Sequence, residues 1–403
     1  MKSHRPSLLA SLILLAASLG PVHAVQQSVY IDGVPDYEWD YGCFGTANGN
    51  LFGFWDRNGF PDFYTGPTGG GVAPLNSFGA NAGIRSLWAT AAGVDGRPSN
   101  LPGHVNDYYV GYESVAEDPY KTAGRAEHSP DCVGDFIGLN QRKWTDLNGE
   151  CRGNIDGYSF VYWTRSGSRR IARPGGEEAA VPKGSDIPSG LIDWSRFKGY
   201  DAEVFCQLAE YAPGVVAPRG FTFEDLKREI DAGFPVLLFL QPKDEFSRTL
   251  HGQSGVNPDI HGMLAFGYLI DENDVPFVRF RTSWGTGDNF AAWGPDSLTP
   301  PGILNFPLRG VIGYHPKPRI RVRQPVPEGL LLKWDAPAAT LVDETAGERR
   351  PAHRYVVEQS PILGSAAVWT AATDLLDTRE ATLPLPPSGS AFYRIRLVTG
   401  TGQ

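Results

Sequence analysis

The sequence predicts an α+β domain followed by a small all-β sandwich. Three observations carry this. A well-marked helix over 221–233 runs into apolar strands at 235–240, 261–268 and 275–281. The composition changes near Pro316-Lys317-Pro318. From Arg319 onward the chain consists of short alternating segments separated by turn signals. With an amino-terminal leader, the expected division is 1–24, 25–316 and 317–403.

The leader reads as an export signal. Lys2, His4 and Arg5 form a basic start, Leu8 to Leu19 an apolar run, and Val22-His23-Ala24 a small-x-small cleavage site. The run is too short for a membrane span, and no later segment is long and apolar enough for one. The mature chain, from Val25, is expected to be secreted, extracellular or periplasmic. Next comes Cys43, on a glycine turn in Tyr41-Gly42-Cys43-Phe44-Gly45. Ala47, Leu51, Phe54 and Trp55 recur at i, i+4, i+7 and i+8, which predicts a helix following the cysteine. Residues 57–80, rich in Gly, Pro, Asn and Asp, read as a long loop. Residues 131–138 read as a short helix or turn, and 165–190 as an exposed insertion.

The helix over 221–233 has Thr222 as its cap, with Asp225 in a capping-box position. Phe223, Leu226 and Ile230 form its apolar face and Gly233 stops it. Pro235 to Leu240 is a buried strand, and His261 opens a second apolar strand running to Tyr268. The turn Asp271-Glu272-Asn273-Asp274 leads into a third strand, Val275 to Arg281. Beyond Pro318, segments such as 320–323, 330–334, 354–358 and 392–397 predict a β-sandwich of about 85 residues. With Trp334 before Asp-Ala-Pro and a late Tyr-Arg-x-Arg strand, it resembles the fibronectin type III class. A cell-surface or glycan contact through it is a candidate role.

The net charge of −9 over 403 residues argues against nucleic acid, which needs a basic footprint, and against an anionic membrane surface. Four cysteines, at 43, 132, 151 and 206, allow three complete pairings in an oxidising compartment. Cys132 and Cys151 flank a polar loop and are the preferred pair, which leaves Cys206 without an assigned partner. Two full disulfides would consume Cys43.

A cysteine at a helix start meets the positive end of the helix dipole, which favours the nucleophilic thiolate; a buried cysteine acting as a small hydrophobe is the alternative. A thiol nucleophile needs a proton acceptor and a group to orient it. His261, at the mouth of an apolar strand, is the strongest candidate base, against the alternative of a core histidine satisfied by a backbone carbonyl. His104 and Asp107 form an i, i+3 pair without a third metal ligand. No zinc, calcium or phosphate-loop motif is present, and no metal or cofactor is expected.

The order of several motifs resembles the papain-like cysteine peptidases related to the bacteriocin-processing, double-glycine peptidases, in their secreted bacterial branch. The residues are Tyr37, Trp39, Tyr41, Gly42, Cys43, Thr46 and Ala47, then Phe54-Trp55-Asp56-Arg57-Asn58-Gly59-Phe60. They continue with Gly103, His104, Asp107 and Tyr108, the Cys132 to Phe136 segment, Asp156-Gly157, and the 229–236 block before the His261 strand. The resemblance covers about residues 28 to 310. It implies a papain-like fold that hydrolyses a protein or peptide substrate through a Cys43 thioester, with His261 as general base. The pattern departs at Gly45, where many members have Pro, and at Tyr37, in the slot of an oxyanion-hole glutamine. It departs again at Thr282, in the slot of the Asn or Asp that orients the histidine. There a threonine hydroxyl would accept from the imidazole N–H, and Trp284 would pack over the site. A non-catalytic relative that binds extracellular peptides or glycans is the alternative.

Overall fold

The computed structural model describes residues 25–38, 43–61, 63, 72–76, 133–137, 187–211, 220–240, 261–294, 308–386 and 391–400. Its centre is a nine-stranded antiparallel sheet against which helices pack. In chain order come β1 (Val25–Ile31), α1 (Cys43–Arg57), α2 (Val133–Ile137), α3 (Ile187–Phe197), β2 (Ala202–Leu208) and α4 (Phe223–Asp231). Then follow β3 (Val236–Leu240), β4 (His261–Asp271), β5 (Pro276–Arg281), β6 (Asn289–Ala292) and β7 (Leu308–Pro316). The mixed helix-and-antiparallel-sheet class agrees with the α+β expectation.

Helix α4 forms as its sequence dictates. The Thr222 side chain accepts from the Asp225 N–H while the Asp225 carboxylate accepts from the Thr222 N–H, a closed capping box. Phe223, Leu226 and Ile230 are buried, and Gly233 follows the cap with φ of 81°. The 271–274 turn is held by the Asp271 carboxylate, which accepts from the N–H groups of Asn273 and Val275.

Helix α1 departs from the one-sided pattern. Every residue from Cys43 to Asp56 is buried, because α1 lies inside the domain and not upon it. Two of its polar residues find one internal partner each: Asn48 donates to the Phe44 carbonyl, and Asn50 accepts from the Tyr37 N–H, while Asn48 Oδ1 and Asn50 Nδ2 stay buried without a hydrogen bond. Gly53 lets the Tyr37 ring lie directly against the helix; a Cβ there would overlap the phenol. Aromatic contacts extend this core, with Phe52 against Phe63, Trp194 and Tyr314, and Phe44 against Phe239.

Part of the stretch expected as an exposed insertion is instead the first turn of α3. Ile187, Leu191 and Trp194 are fully buried, at helical spacing. Residues 165–186 lie outside the described residues, as do 1–24, 103–110, Cys132, Cys151 and Asp156-Gly157.

The carboxy-terminal region supplies β8 (Arg319–Val326), β9 (Gly329–Asp335), β10 (Thr340–Asp343), β11 (Glu348–Pro351), β12 (His353–Ser360), β13 (Thr370–Ala371), β14 (Glu380–Leu383) and β15 (Phe392–Thr399). Two three-stranded sheets, β13-β12-β15 and β14-β9-β8, enclose a core of Leu330, Leu332, Trp334, Tyr355, Val357 and Leu383. The β10–β11 hairpin leaves these sheets and joins the large one, whose order is β11-β10-β1-β4-β3-β7-β2. Its register on β1 is Val29 to Asp343, Tyr30 to Val342 and Ile31 to Leu341. Leu341 thereby enters the core of the first region.

Candidate active site

Cys43 is the first residue of α1, and His261 is the first residue of β4. Helix α1 packs along β4, with Phe44 directly against Gly262, where even a methyl side chain would press on the Phe44 ring and Cα. This close approach puts the Cys43 sulfur beside the backbone N–H of Gly262, the residue after His261, and beside the N–H groups of Phe44 and of Cys43 itself. The two candidate residues, more than two hundred positions apart in sequence, thus stand at the start of a helix and the start of a strand that abut, with the Cys43 sulfur against the residue that follows His261.

Cys43 is 2% exposed and His261 4% exposed. Burial pushes the Cys43 thiol up to about 11, against the weaker opposing pull of the three N–H groups. Burial likewise pushes the His261 imidazole down to about 4, opposed by its bond to Thr282. At neutral pH the site therefore rests as neutral thiol and neutral imidazole, not as an ion pair. Neither Cys43 nor Cys206 is in a disulfide, so no bridge between them consumes the thiol. Cys206 lies within the core on β2.

The His261 ring is held from two sides. Its Nε2 lies 2.7 Å from the backbone carbonyl oxygen of Thr282. A carbonyl only accepts, so Nε2 carries the proton and Nδ1 is left with the lone pair, the tautomer of a proton acceptor. The Trp284 ring stacks on the imidazole at 4.2 Å between centroids and 18° between planes. The orienting group is therefore the main chain of Thr282 and not its hydroxyl, which pairs with the Thr286 hydroxyl at 2.7 Å. A buried main-chain carbonyl fixes ring orientation but carries no charge to stabilise imidazolium.

The loop supplying that carbonyl, residues 282–288, is tightly fastened. Ser283 is buried in a left-handed conformation, φ 67°, and its hydroxyl donates to the Gly262 carbonyl at 2.9 Å. Asn289 donates to the Thr286 hydroxyl and to the Gly287 carbonyl. Arg281 pairs with Asp288 and reaches the Val34 carbonyl at 3.0 Å. Asp36 accepts from the Gly287 N–H at 2.7 Å. Neither Asp36 nor Ser283 carries a motif that would single it out in the sequence.

Tyr37 is placed away from any oxyanion. It is fully buried, its N–H donates to Asn50 and its hydroxyl donates to the Pro74 carbonyl at 2.9 Å. The donors that face the Cys43 sulfur are instead main-chain N–H groups, those of Cys43 and Phe44 at the start of α1 and that of Gly262 on β4. His315 pairs with Glu229, and His353 lies buried against Trp55 and Phe234; neither belongs to the Cys43 cluster. His104 and Asp107 lie outside the described residues.

A separate cleft of about 630 Å³ opens where the end of α1 meets the β8–β9–β14 sheet, lined by Arg57, Arg321, Lys333, Trp334, Asp335 and Arg379 among others. It contains no cysteine or histidine and sits at the far end of α1 from Cys43, roughly 21 Å along the helix axis. Among the described residues no cluster of three metal-binding side chains occurs, and no helix is long and apolar enough to cross a membrane. The chain matches no family model, no curated protein and no solved structure.

Proposed function

We propose that the chain is a secreted cysteine peptidase of papain-like fold, acting on a protein or peptide substrate. The observation that carries the reading is the junction of α1 and β4. It brings a helix-start thiol against the residue next to a histidine whose proton is already committed to a carbonyl on its far nitrogen. The sulfur attacks the substrate carbonyl carbon as the thiol proton passes to His261 Nδ1. The C–N bond then breaks, His261 returns the proton to the leaving amine, and a Cys43 thioester remains. Water attacks the thioester with His261 again as base, releasing the acid and restoring the thiol. The N–H groups of Cys43 and Phe44 are the oxyanion donors this geometry offers.

Such a site works as a neutral pair with proton transfer during attack, because desolvation opposes a resting ion pair. The test compares the wild type with Cys43→Ala in hydrolysis of casein and of short peptides. Equal rates in the two proteins sink the reading.

The burial of Cys43 and His261 favours a second reading, a catalytically weak or inactive relative that binds extracellular peptides or glycans. Peptide or glycan retention by Cys43→Ala, with no hydrolysis by the wild type, supports that reading over the first.

A further inference from the structure

We infer that Asp36 is a positioning residue for the Cys43–His261 site, clamping the chain that leads into Cys43 to the loop that orients His261. The inference rests on the peptidase reading only for its kinetic consequence.

Asp36 lies seven residues before Cys43, and 8% of it is exposed. Its own N–H donates to the Leu75 carbonyl at 2.7 Å, and neighbouring Tyr37 is tied to α1 through Asn50. This side of the clamp is thus anchored to the helix that carries the thiol. On the other side, Asp36 Oδ2 accepts from the Gly287 N–H at 2.7 Å. Gly287 belongs to the loop whose first residue, Thr282, gives its carbonyl to His261 Nε2.

The loop has a second strap, the bond from Ser283 to the Gly262 carbonyl. That strap binds the loop to β4 itself. Asp36 supplies a cross-tie between the Cys43 side and the His261 side. Its other oxygen, Oδ1, is buried without a hydrogen-bond partner. The charged groups facing the carboxylate are Arg281, which attracts it, and Asp288, which repels it. Burial raises the Asp36 carboxyl from its ordinary range, ahead of the attraction of Arg281 and the Gly287 bond. A half-satisfied buried carboxylate is costly to keep, and a tie across the site gives that cost a use.

The experiment uses the full chain with Asp36→Ala and Asp36→Asn. The first readout is the titration of His261 by NMR of its imidazole nitrogens, which requires no catalysis. In the wild type the ring titrates near 4. In Asp36→Ala the loosened loop admits water, and the titration moves toward the ~6.5 of a solvated histidine. Asp36→Asn, whose amide oxygen still accepts from Gly287, keeps the wild-type titration. The second readout is peptide hydrolysis: Asp36→Ala lowers kcat roughly tenfold with KM unchanged, and Asp36→Asn restores it.

An unchanged His261 titration in Asp36→Ala overturns the inference. If the titration shifts as expected while even the wild type hydrolyses nothing, the positioning role stands and the peptidase reading falls. If Asp36→Ala does not fold, hydrogen exchange at the Gly287 amide decides. Protection of the Gly287 amide in the wild type and in Asp36→Asn supports the tie, and an unprotected Gly287 amide in the wild type overturns it.

Discussion

Alkylation of Cys43 across pH tests the electrostatics of the site directly. The thiol is pushed from 9.0 to about 11, so at neutral pH it holds about 100-fold less thiolate than an ordinary cysteine, two pH decades. A more basic thiolate is intrinsically more nucleophilic, with a Brønsted slope near 0.4–0.5, which returns a factor of roughly 6 to 10. The net expectation from acidity alone is alkylation about 10- to 15-fold slower than a free thiol. With 2% of the residue exposed, access slows it further. The assay is iodoacetamide labelling of a Cys206→Ser protein from pH 6 to 11, read at Cys43 by mass spectrometry. A parallel sample in denaturant gives the unhindered rate. The rate should climb through the whole range, with no plateau below about pH 10. A plateau at pH 7 or below would mean a preformed thiolate–imidazolium pair. That result would refute the claim that desolvation dominates this site.

His261 stays neutral down to about pH 4, so hydrolysis should keep its rate as pH falls from 7 to 5; an acid limb near 6.5 contradicts the buried-base description. His353 is pushed down to about 3 by burial, whereas an unfolded histidine titrates near 6.5. Its contribution to stability is whole above pH 6.5 and is lost as pH falls from there toward 3, because only the unfolded state takes up the proton. Denaturant titrations of His353→Gln, which keeps an acceptor for the Ala339 N–H, should show a pH slope in the window from about 6 to 4 shallower by ~1.4 kcal/mol per pH unit; an unchanged slope contradicts this. Gly53→Ala drives a Cβ into the Tyr37 phenol and should cost about 1–3 kcal/mol, read as a lower urea midpoint, with part of the loss recovered by adding Tyr37→Phe. Leu341→Ala, at a position 1% exposed, should cost about 2–4 kcal/mol and speed amide exchange in β4 at Gly267 to Leu269, although the substitution lies beyond residue 316.

What the sequence made legible were features built from local chemistry. The Thr222 and Asp225 capping box, the strands after α4, the helix after Cys43 and the strand opened by His261 all follow from short-range pattern. The pairing of β1 with β10 joins residues more than three hundred positions apart, and antiparallel register between distant segments leaves no periodicity to read. The orienting group of His261 was expected from the identity of residue 282. It proved to be a main-chain carbonyl, which every residue possesses and no sequence pattern marks. The spacing of Ala47, Leu51, Phe54 and Trp55 marks a helix but says nothing of Asn48 and Asn50, which are buried too. Their partners, the Phe44 carbonyl and the Tyr37 N–H, become apparent only once the chain is folded.

On the peptidase reading, the hairpin also constrains how a substrate reaches Cys43. His261 begins β4, which is hydrogen-bonded to β5 along one edge and, along the other, to β3 near His261 and to β1 further on. Strand β1 is in turn bonded to β10, so β11, β10, β1, β4 and β3 form one continuous ladder from the carboxy-terminal region to His261. Moving β4 away from α1 would break several backbone hydrogen bonds on each flank, each expensive to leave unmade in a buried sheet. The carboxy-terminal region cannot swing to open the site either, since its hairpin is part of the same sheet. Among the described residues around His261, the 282–288 loop can move with the ladder intact, because its ties are side-chain bonds made by Asp36, Ser283, Asp288 and Asn289. Trp284, the residue stacked on the imidazole, rides on that loop. Uncovering the base and releasing its tautomer-fixing carbonyl are then one motion, and the strength of those four ties sets how often it happens.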